Sequence, residues 1–101
     1  MISKIPNNAT AFAQRDAFLV YQLYASSSNH VRPYPGNGVK FIDDMLQALE
    51  PNPQGAYSNY IDPTLSTEEW KRLYFGSNVQ RLEEFKSVID PTNIFKYTQG
   101  F

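Results

Sequence analysis

Nine residues, Ala17–Ala25, constrain the fold of this chain more than any others. In AFLVYQLYA, Leu19, Tyr21 and Leu23 alternate with Phe18, Val20 and Tyr24, so an extended segment here is apolar on both faces. A strand of that kind must be covered on both sides and paired along its edges. The chain offers it little. Only one other short run, Ala56–Ile61 (AYSNYI), reads as a strand, and roughly thirty residues lie between the two. Two strands so far apart cannot form a protected sheet alone. The expected fold class is therefore α+β, a piece with a buried strand, a short strand and two or three helices, whose strand is covered by something else.

The helices are read from periodicity. After a connection dense in Ser, Pro, Gly and Asn (SSSNHVRPYPGNG), Ile42, Met45, Leu46 and Leu49 recur at helical spacing with Asp43, Asp44 and Gln47 between them. That predicts an amphipathic helix over Val39–Leu49, stopped by the PNPQG that follows. A second start is marked by Ser66 or Thr67 as N-cap, with Glu68 and Glu69 in the first turn. A further helix is predicted from about Asn78 to Val88 on the stripe Val79, Leu82, Phe85 and Ile89, with Gly76 as the break before it. Pro91 disfavours helical geometry at Asp90 and ends it. His30 stands in the Pro-rich connection with no Cys and no second His in the chain. It reads as a surface residue rather than a metal ligand, because a metal site needs several convergent ligands.

With 101 residues the chain is one small domain at most, and its core is thin. A formal net charge of −1 provides no attraction to phosphate backbones or anionic lipid, so neither nucleic acid nor membrane is an expected partner. No apolar run approaches the roughly 20 residues that span a bilayer. The absence of cysteine excludes disulfides, thiolate metal sites and cysteine nucleophiles. Aromatic content is high, at 15%, which points to large buried contacts or an aromatic pocket.

The stretch GAYSNYID, Gly55–Asp62, places Tyr57 and Tyr60 three residues apart with Asn59 between them. In an extended segment an odd spacing sends the two rings to opposite faces, so only one could face a site. Two readings stand side by side. A tyrosine between apolar residues in a short strand is ordinarily core, with its hydroxyl satisfied; alternatively, one phenol points into a site and handles a proton.

The second half of the chain carries a resemblance. Tyr57, Asn59, Tyr60 and Asp62, then Trp70, Tyr74-Phe75-Gly76, Asn78, Arg81-Leu82 and Lys86, then Asp90-Pro91, Asn93, Phe95 and Gln99, occur in this order. Together they resemble the C-terminal berberine-like segment of the FAD-linked oxidases typified by berberine bridge enzyme. The earlier stretch ATAFAQRDAFLVYQLYA is similar to a strand of that family's substrate domain, with Gln14 where family members often have His.

The resemblance implies a division at residue 54: 1–54 would end the substrate-binding domain, and 55–101 would be the berberine-like segment packing on the FAD domain. It implies an FAD-dependent oxidase that passes a hydride from a small organic substrate to FAD, with O2 as acceptor and hydrogen peroxide as product. Most of the FAD would be bound by a missing N-terminal part or chain, because this sequence has no Cys anchor and no Gly-rich phosphate loop. Tyr60 occupies the position of the proposed catalytic base, Asn59 is a polar contact near the flavin and Tyr57 a substrate-side contact, with packing roles as the alternative for each. A phenol is a poor base at its reference pKa of about 10, so neighbours must help to ionise it. Trp70, Tyr74 and Phe75 read as packing residues, and Gln14 and Arg15 as lining or rim of the substrate domain. Family habit suggests secretion. The alternative function is a non-catalytic fragment or split subunit that only completes the fold of a separate flavin-binding chain.

Overall fold

The computed structural model describes residues 4–27 and 36–101. His30, and most of the connection around it, lie outside the described residues. Among the described residues three α-helices order the chain: α1 (Gly36–Leu49), α2 (Thr67–Phe75) and α3 (Val79–Ile89), with a 3-10 turn, Gly76–Asn78, joining α2 to α3. The chain divides into two units, one formed by Met1–Phe18 with Gln54–Phe101, the other by Leu19–Pro53.

Among the described residues there is no strand, and the expected α+β class is corrected to an all-helical arrangement with long irregular segments. Residues Ala17–Ala25 take no regular structure. Phe18 is 94% exposed, and Leu19, Val20, Tyr21 and Tyr24 are all exposed. Alternating apolar residues favour a pleated conformation only where a neighbouring edge accepts their N–H and C=O groups. No such edge is offered here among the described residues. The second expected strand fails for a local reason: the Tyr60 N–H donates to the Tyr57 carbonyl at 2.9 Å, which bends the run into a turn.

The helices follow their local chemistry closely. α1 begins three residues before the predicted Val39 and ends at Leu49, ahead of Pro51. In the second unit its stripe residues Ile42, Met45 and Leu46 are half-buried, while Lys40 and Asp44 pair one turn apart at 2.6 Å. α2 starts on a capping box. The Ser66 hydroxyl accepts from the Glu69 N–H, and the Glu69 carboxylate accepts from the Ser66 N–H at 2.9 Å, so two orphan donors are satisfied reciprocally. The Ser66 hydroxyl also donates to the Glu69 carboxylate, and this bond, with the one from the Ser66 N–H after it, holds the Glu69 carboxyl below its ordinary value. The helix stops at Gly76, whose φ of 51° and ψ of −125° suit a residue without Cβ. α3 ends at Ile89, one residue before Asp90 and two before Pro91.

The first unit is organised around one side of α2. Trp70, Leu73 and Tyr74 are buried, and Ala56, Leu65, Phe75 and Phe101 pack against them. The Trp70 ring lies 5.7 Å from that of Phe101 and 6.2 Å from that of Phe75, both edge-on. Edge-to-face pairs of this kind add about 0.5–1.5 kcal/mol each beyond the area they bury. With so few buried residues, truncating Trp70 to alanine, worth about 3–5 kcal/mol in an ordinary core, would remove much of what holds this unit together. The sequence reading of Trp70, Tyr74 and Phe75 as packing residues agrees with this cluster.

Residues 4–18 join the same unit through amide side chains. Asn78, 1% exposed, donates through Nδ2 to the carbonyls of Asn7 and Thr10, each at 3.1 Å. Gln14 donates through Nε2 to the carbonyls of Leu73 and Tyr74. Those carbonyls belong to the last turn of α2, which has no helical partners left for them. Gln14 is thus a pin for a helix end.

Candidate functional site

The tyrosine segment is fastened at both ends and bent in between. At its entry, the Ala56 N–H donates to the Leu73 carbonyl at 2.9 Å. Gly55 lies so close to the Gln14 side chain that a Cβ there would sit 2.5 Å from Gln14 Cγ. At its exit, the Asp62 N–H donates to the Tyr74 hydroxyl at 3.0 Å, and Gln99 Nε2 donates to the Asp62 carbonyl at 2.7 Å. Between these anchors the 57–60 turn projects outward.

The turn brings together the three expected site residues. The rings of Tyr57 and Tyr60 meet edge-on at 5.4 Å between centroids, with 71° between their planes. Asn59 Nδ2 donates to the Tyr57 hydroxyl at 2.8 Å. The expectation that the rings occupy opposite faces is overturned by this contact. Odd spacing separates side chains along an extended backbone, but a turn folds the chain back and returns them to one side. Tyr60 is 56% exposed and Tyr57 39%, and among the described residues the Tyr60 hydroxyl has no hydrogen-bond partner. Neither is a core tyrosine in this chain.

The acid next to the turn does other work. Asp62 Oδ1 accepts from the Thr64 N–H at 2.9 Å and from the Thr64 hydroxyl at 2.6 Å. These contacts form a side-chain-stabilised turn that leads the backbone toward Ser66. Asp62 therefore organises the chain.

The open spaces in this unit lie elsewhere. A groove of about 380 Å³ is lined by Trp70, Lys71, Glu83, Ser87 and Phe101 among others, and an apolar one of about 280 Å³ by Leu82, Phe85, Ile89, Phe95 and Phe101 among others. Neither reaches Tyr57 or Tyr60, so the phenols stand on an open surface rather than in an enclosed site. The described residues also contain no group of three or more His, Cys, Asp or Glu that could hold a metal ion, and no helix long and apolar enough to cross a membrane.

The fit to a flavin is partial. The chain's glycines do not form a run. Asn59, exposed and with its carbonyl oxygen outside the contact to Tyr57, is a side chain suited to the polar edge of a flavin ring. Sequence reasoning missed the residues that hold the turn: Tyr74 and Gln99 at its exit, Gln14 at its entry. The sequence marks Tyr74 as packing alone, and no periodicity marks a glutamine whose partners lie 25 and 37 residues away.

Comparison with known proteins converges on one group. Residues 56–101 match the family model described as berberine and berberine like. A glucooligosaccharide oxidase from Sarocladium strictum is 33% identical over 93% of this chain and 20% of its own length. A xylooligosaccharide oxidase from Thermothelomyces thermophilus is 34% identical, over 98% of this chain and 21% of its own. An FAD-linked oxidoreductase from Metarhizium anisopliae, dpmaF, is 36% identical over 90% of this chain and 18% of its own. The chain spans about a fifth of the length of these curated relatives. No solved structure matches it.

Proposed function

Residues 56–101 are a berberine-like segment of the FAD-linked oxidase family, and from that premise we propose that this chain is part of an FAD-dependent oxidase in which Tyr60 acts on the substrate. The proposed reaction is oxidation of a carbon bearing a hydroxyl group. Two of the relatives above are named as oxidases of oligosaccharides, which supports a carbohydrate hydroxyl as the substrate class. FAD, when bound, supplies the hydride acceptor, with O2 proposed to take the electrons on.

The observation that carries the reading is the tyrosine turn: an exposed phenol whose hydroxyl has no partner among the described residues, beside a second phenol and a carboxamide, on a loop fastened at both ends. In the proposed mechanism Tyr60 Oη takes the proton of the substrate hydroxyl as the hydride leaves the same carbon, the groups that activate the phenol being proposed to come from polypeptide outside this chain. Tyr57 borders the substrate, and its oxygen is oriented by Asn59 Nδ2. The Asn59 carbonyl oxygen would hold the polar edge of the flavin when FAD is bound. Holding these groups on an anchored loop keeps the reacting atoms in register, which is where positioning contributes to rate.

The remaining flavin-binding surface is proposed to come from polypeptide outside this chain. Supporting that, α3 and the turn after it expose Phe85, Val88, Ile89, Ile94 and Phe95 together. Apolar residues gathered in this way mark a surface that another body covers. The test is Tyr60→Phe in the FAD-loaded oxidase, with flavin bleaching by a short glucose oligosaccharide followed anaerobically. Loss of an acid–base group slows such a step by about 100- to 10,000-fold. Bleaching at the parental rate would make Tyr60 a packing residue.

A further inference from the structure

We infer that Gln99 is a positioning residue for the tyrosine turn: through a closed bracket with Tyr74 and the Asp62 backbone it sets the direction in which Tyr60 presents its hydroxyl. The inference rests on the reading of Tyr60 proposed above.

Three hydrogen bonds close the bracket. The Asp62 N–H donates to Tyr74 Oη at 3.0 Å, Tyr74 O–H donates to Gln99 Oε1 at 3.1 Å, and Gln99 Nε2 donates to the Asp62 carbonyl at 2.7 Å. Asp62 is thereby held through both polar groups of its backbone, two residues after Tyr60. The ring requires a phenol that accepts and donates at one oxygen, and a side chain with acceptor and donor in one plane. Among side chains, the second requirement is met by a carboxamide. Leucine has its bulk but neither group, and glutamate keeps the acceptor toward Tyr74 while turning a negative oxygen on the Asp62 carbonyl.

The bracket stands on the buried cluster of the unit. Tyr74 is 3% exposed and belongs to the buried cluster with Trp70 and Leu73, so its hydroxyl is a fixed post. Phe101, two residues after Gln99, packs against the same cluster, 5.1 Å from the Phe75 ring. The chain end is therefore seated on the core, and Gln99 reaches from it to the turn. At the other end, Ala56 is tied to the Leu73 carbonyl. With both ends referred to α2, the turn's orientation follows α2. Removing Gln99 leaves the exit held only by the Asp62 N–H bond to Tyr74, whose hydroxyl then loses its own acceptor, and a turn with one of its two exit bonds gone can swing.

The experiment combines two readouts on the flavin-loaded oxidase carrying Gln99→Leu, with Tyr74→Phe and the double variant beside it. The first is substrate-driven flavin reduction per bound flavin. Gln99→Leu is expected to slow it by about 10- to 100-fold, the scale of a misplaced catalytic group, with substrate affinity changed less than the rate. Because both variants open the same bracket, the double variant should be no slower than the slower single one. The second is NMR of the turn: the Asp62 amide should exchange faster, and the cross-peaks between the Tyr57 and Tyr60 rings should weaken.

A rate per flavin equal to the parent's, with the Asp62 amide still protected, overturns the inference, whatever happens to melting temperature or flavin content. If Tyr60→Phe is itself silent, the proposed chemistry fails and the rate carries no information about Gln99. The NMR readout then decides alone, a loosened turn supporting the inference and an unchanged one overturning it. Should Gln99→Leu fail to load flavin, Gln99→Glu is read by the same two measures.

Discussion

A single carboxylate, Asp90, shows how much of this structure rests on side chains closing the backbone. It is buried, pairs with Lys86 at 2.6 Å and accepts the N–H groups of Ile94 and Phe95 at 2.8 and 2.9 Å. Lys86 also donates to the Phe95 carbonyl. The turn after α3 is thus wrapped around one charge, and Asn93 takes a left-handed φ of 52° to complete it. The hydrogen bond from Lys86 is the main cause that holds the Asp90 carboxyl below its ordinary value; burial opposes it, and the two N–H groups assist. In the unfolded chain this group returns to the usual aspartate value of about 3.9. Its stabilising contribution is therefore fully present above that pH and is lost as pH falls through the lower folded value, where the unfolded chain binds more protons. Asp90→Asn should melt lower at pH 7 and show a shallower loss of melting temperature from pH 5 to 3 than the parent; equal slopes would mean that Asp90 does not titrate with folding. The sequence marked Asp90-Pro91 as the end of a helix, but three of the contacts to Asp90 come from residues four or five positions away, and their convergence on one carboxylate is a property of the folded turn.

At the scale of elements, local chemistry was the dependable guide. The N-cap at Ser66, one of the two expected, the break at Gly76 and the stop before Pro91 all lie where their residues predict them, because each acts within a few positions. Gly76 allows the cause to be separated. A Cβ there would meet Ala13 Cβ at 3.7 Å, an ordinary contact, while φ is +51°. The cost of Gly76→Ala is therefore conformational, about 1–3 kcal/mol for a residue held in such a region, rather than steric. Thermal unfolding followed at 222 nm should show a lower midpoint for Gly76→Ala, whereas an unchanged midpoint would mean that the α2–α3 corner relaxes without strain. Strand patterning was the unreliable guide. Ala17–Ala25 and Ala56–Ile61 both have the composition of strands, but a strand is a pairing, and one chain segment cannot supply both edges of it.

For the whole molecule, the imbalance between buried and exposed apolar groups is the main physical fact. The buried cluster consists of Trp70, Leu73 and Tyr74, while Phe18, Val88, Ile94, Phe95 and Tyr97 are each at least 70% exposed. Burial of apolar area contributes about 25 cal/mol per Å², so exposed side chains of this size represent stabilisation that contact with another surface would release. The purified 101-residue chain is expected to bind a dye such as ANS strongly. Added FAD should keep the absorption spectrum of free flavin, because most of the flavin-binding surface is proposed to come from polypeptide outside this chain. A chain that leaves the dye dark, or that perturbs the flavin spectrum by itself, would show a self-contained site and would count against the proposed division of labour.

The sequence by itself determined the start of α2, the breaks between elements and the family resemblance, since these depend on neighbours a few positions apart or on the order of residue types. The packing role of Trp70 was also legible. Only the tertiary structure decided that Tyr57 and Tyr60 share one side of a turn, that Asp62 serves Thr64, and that Gln14, Tyr74 and Gln99 hold the loop in place. The physical reason is range. The Asp62–Gln99 hydrogen bond joins residues 37 positions apart and the Gln14–Leu73 bond residues 59 apart, and no local preference of a carboxamide reveals which distant carbonyl will be left without a partner until the helix ends and turns are in place.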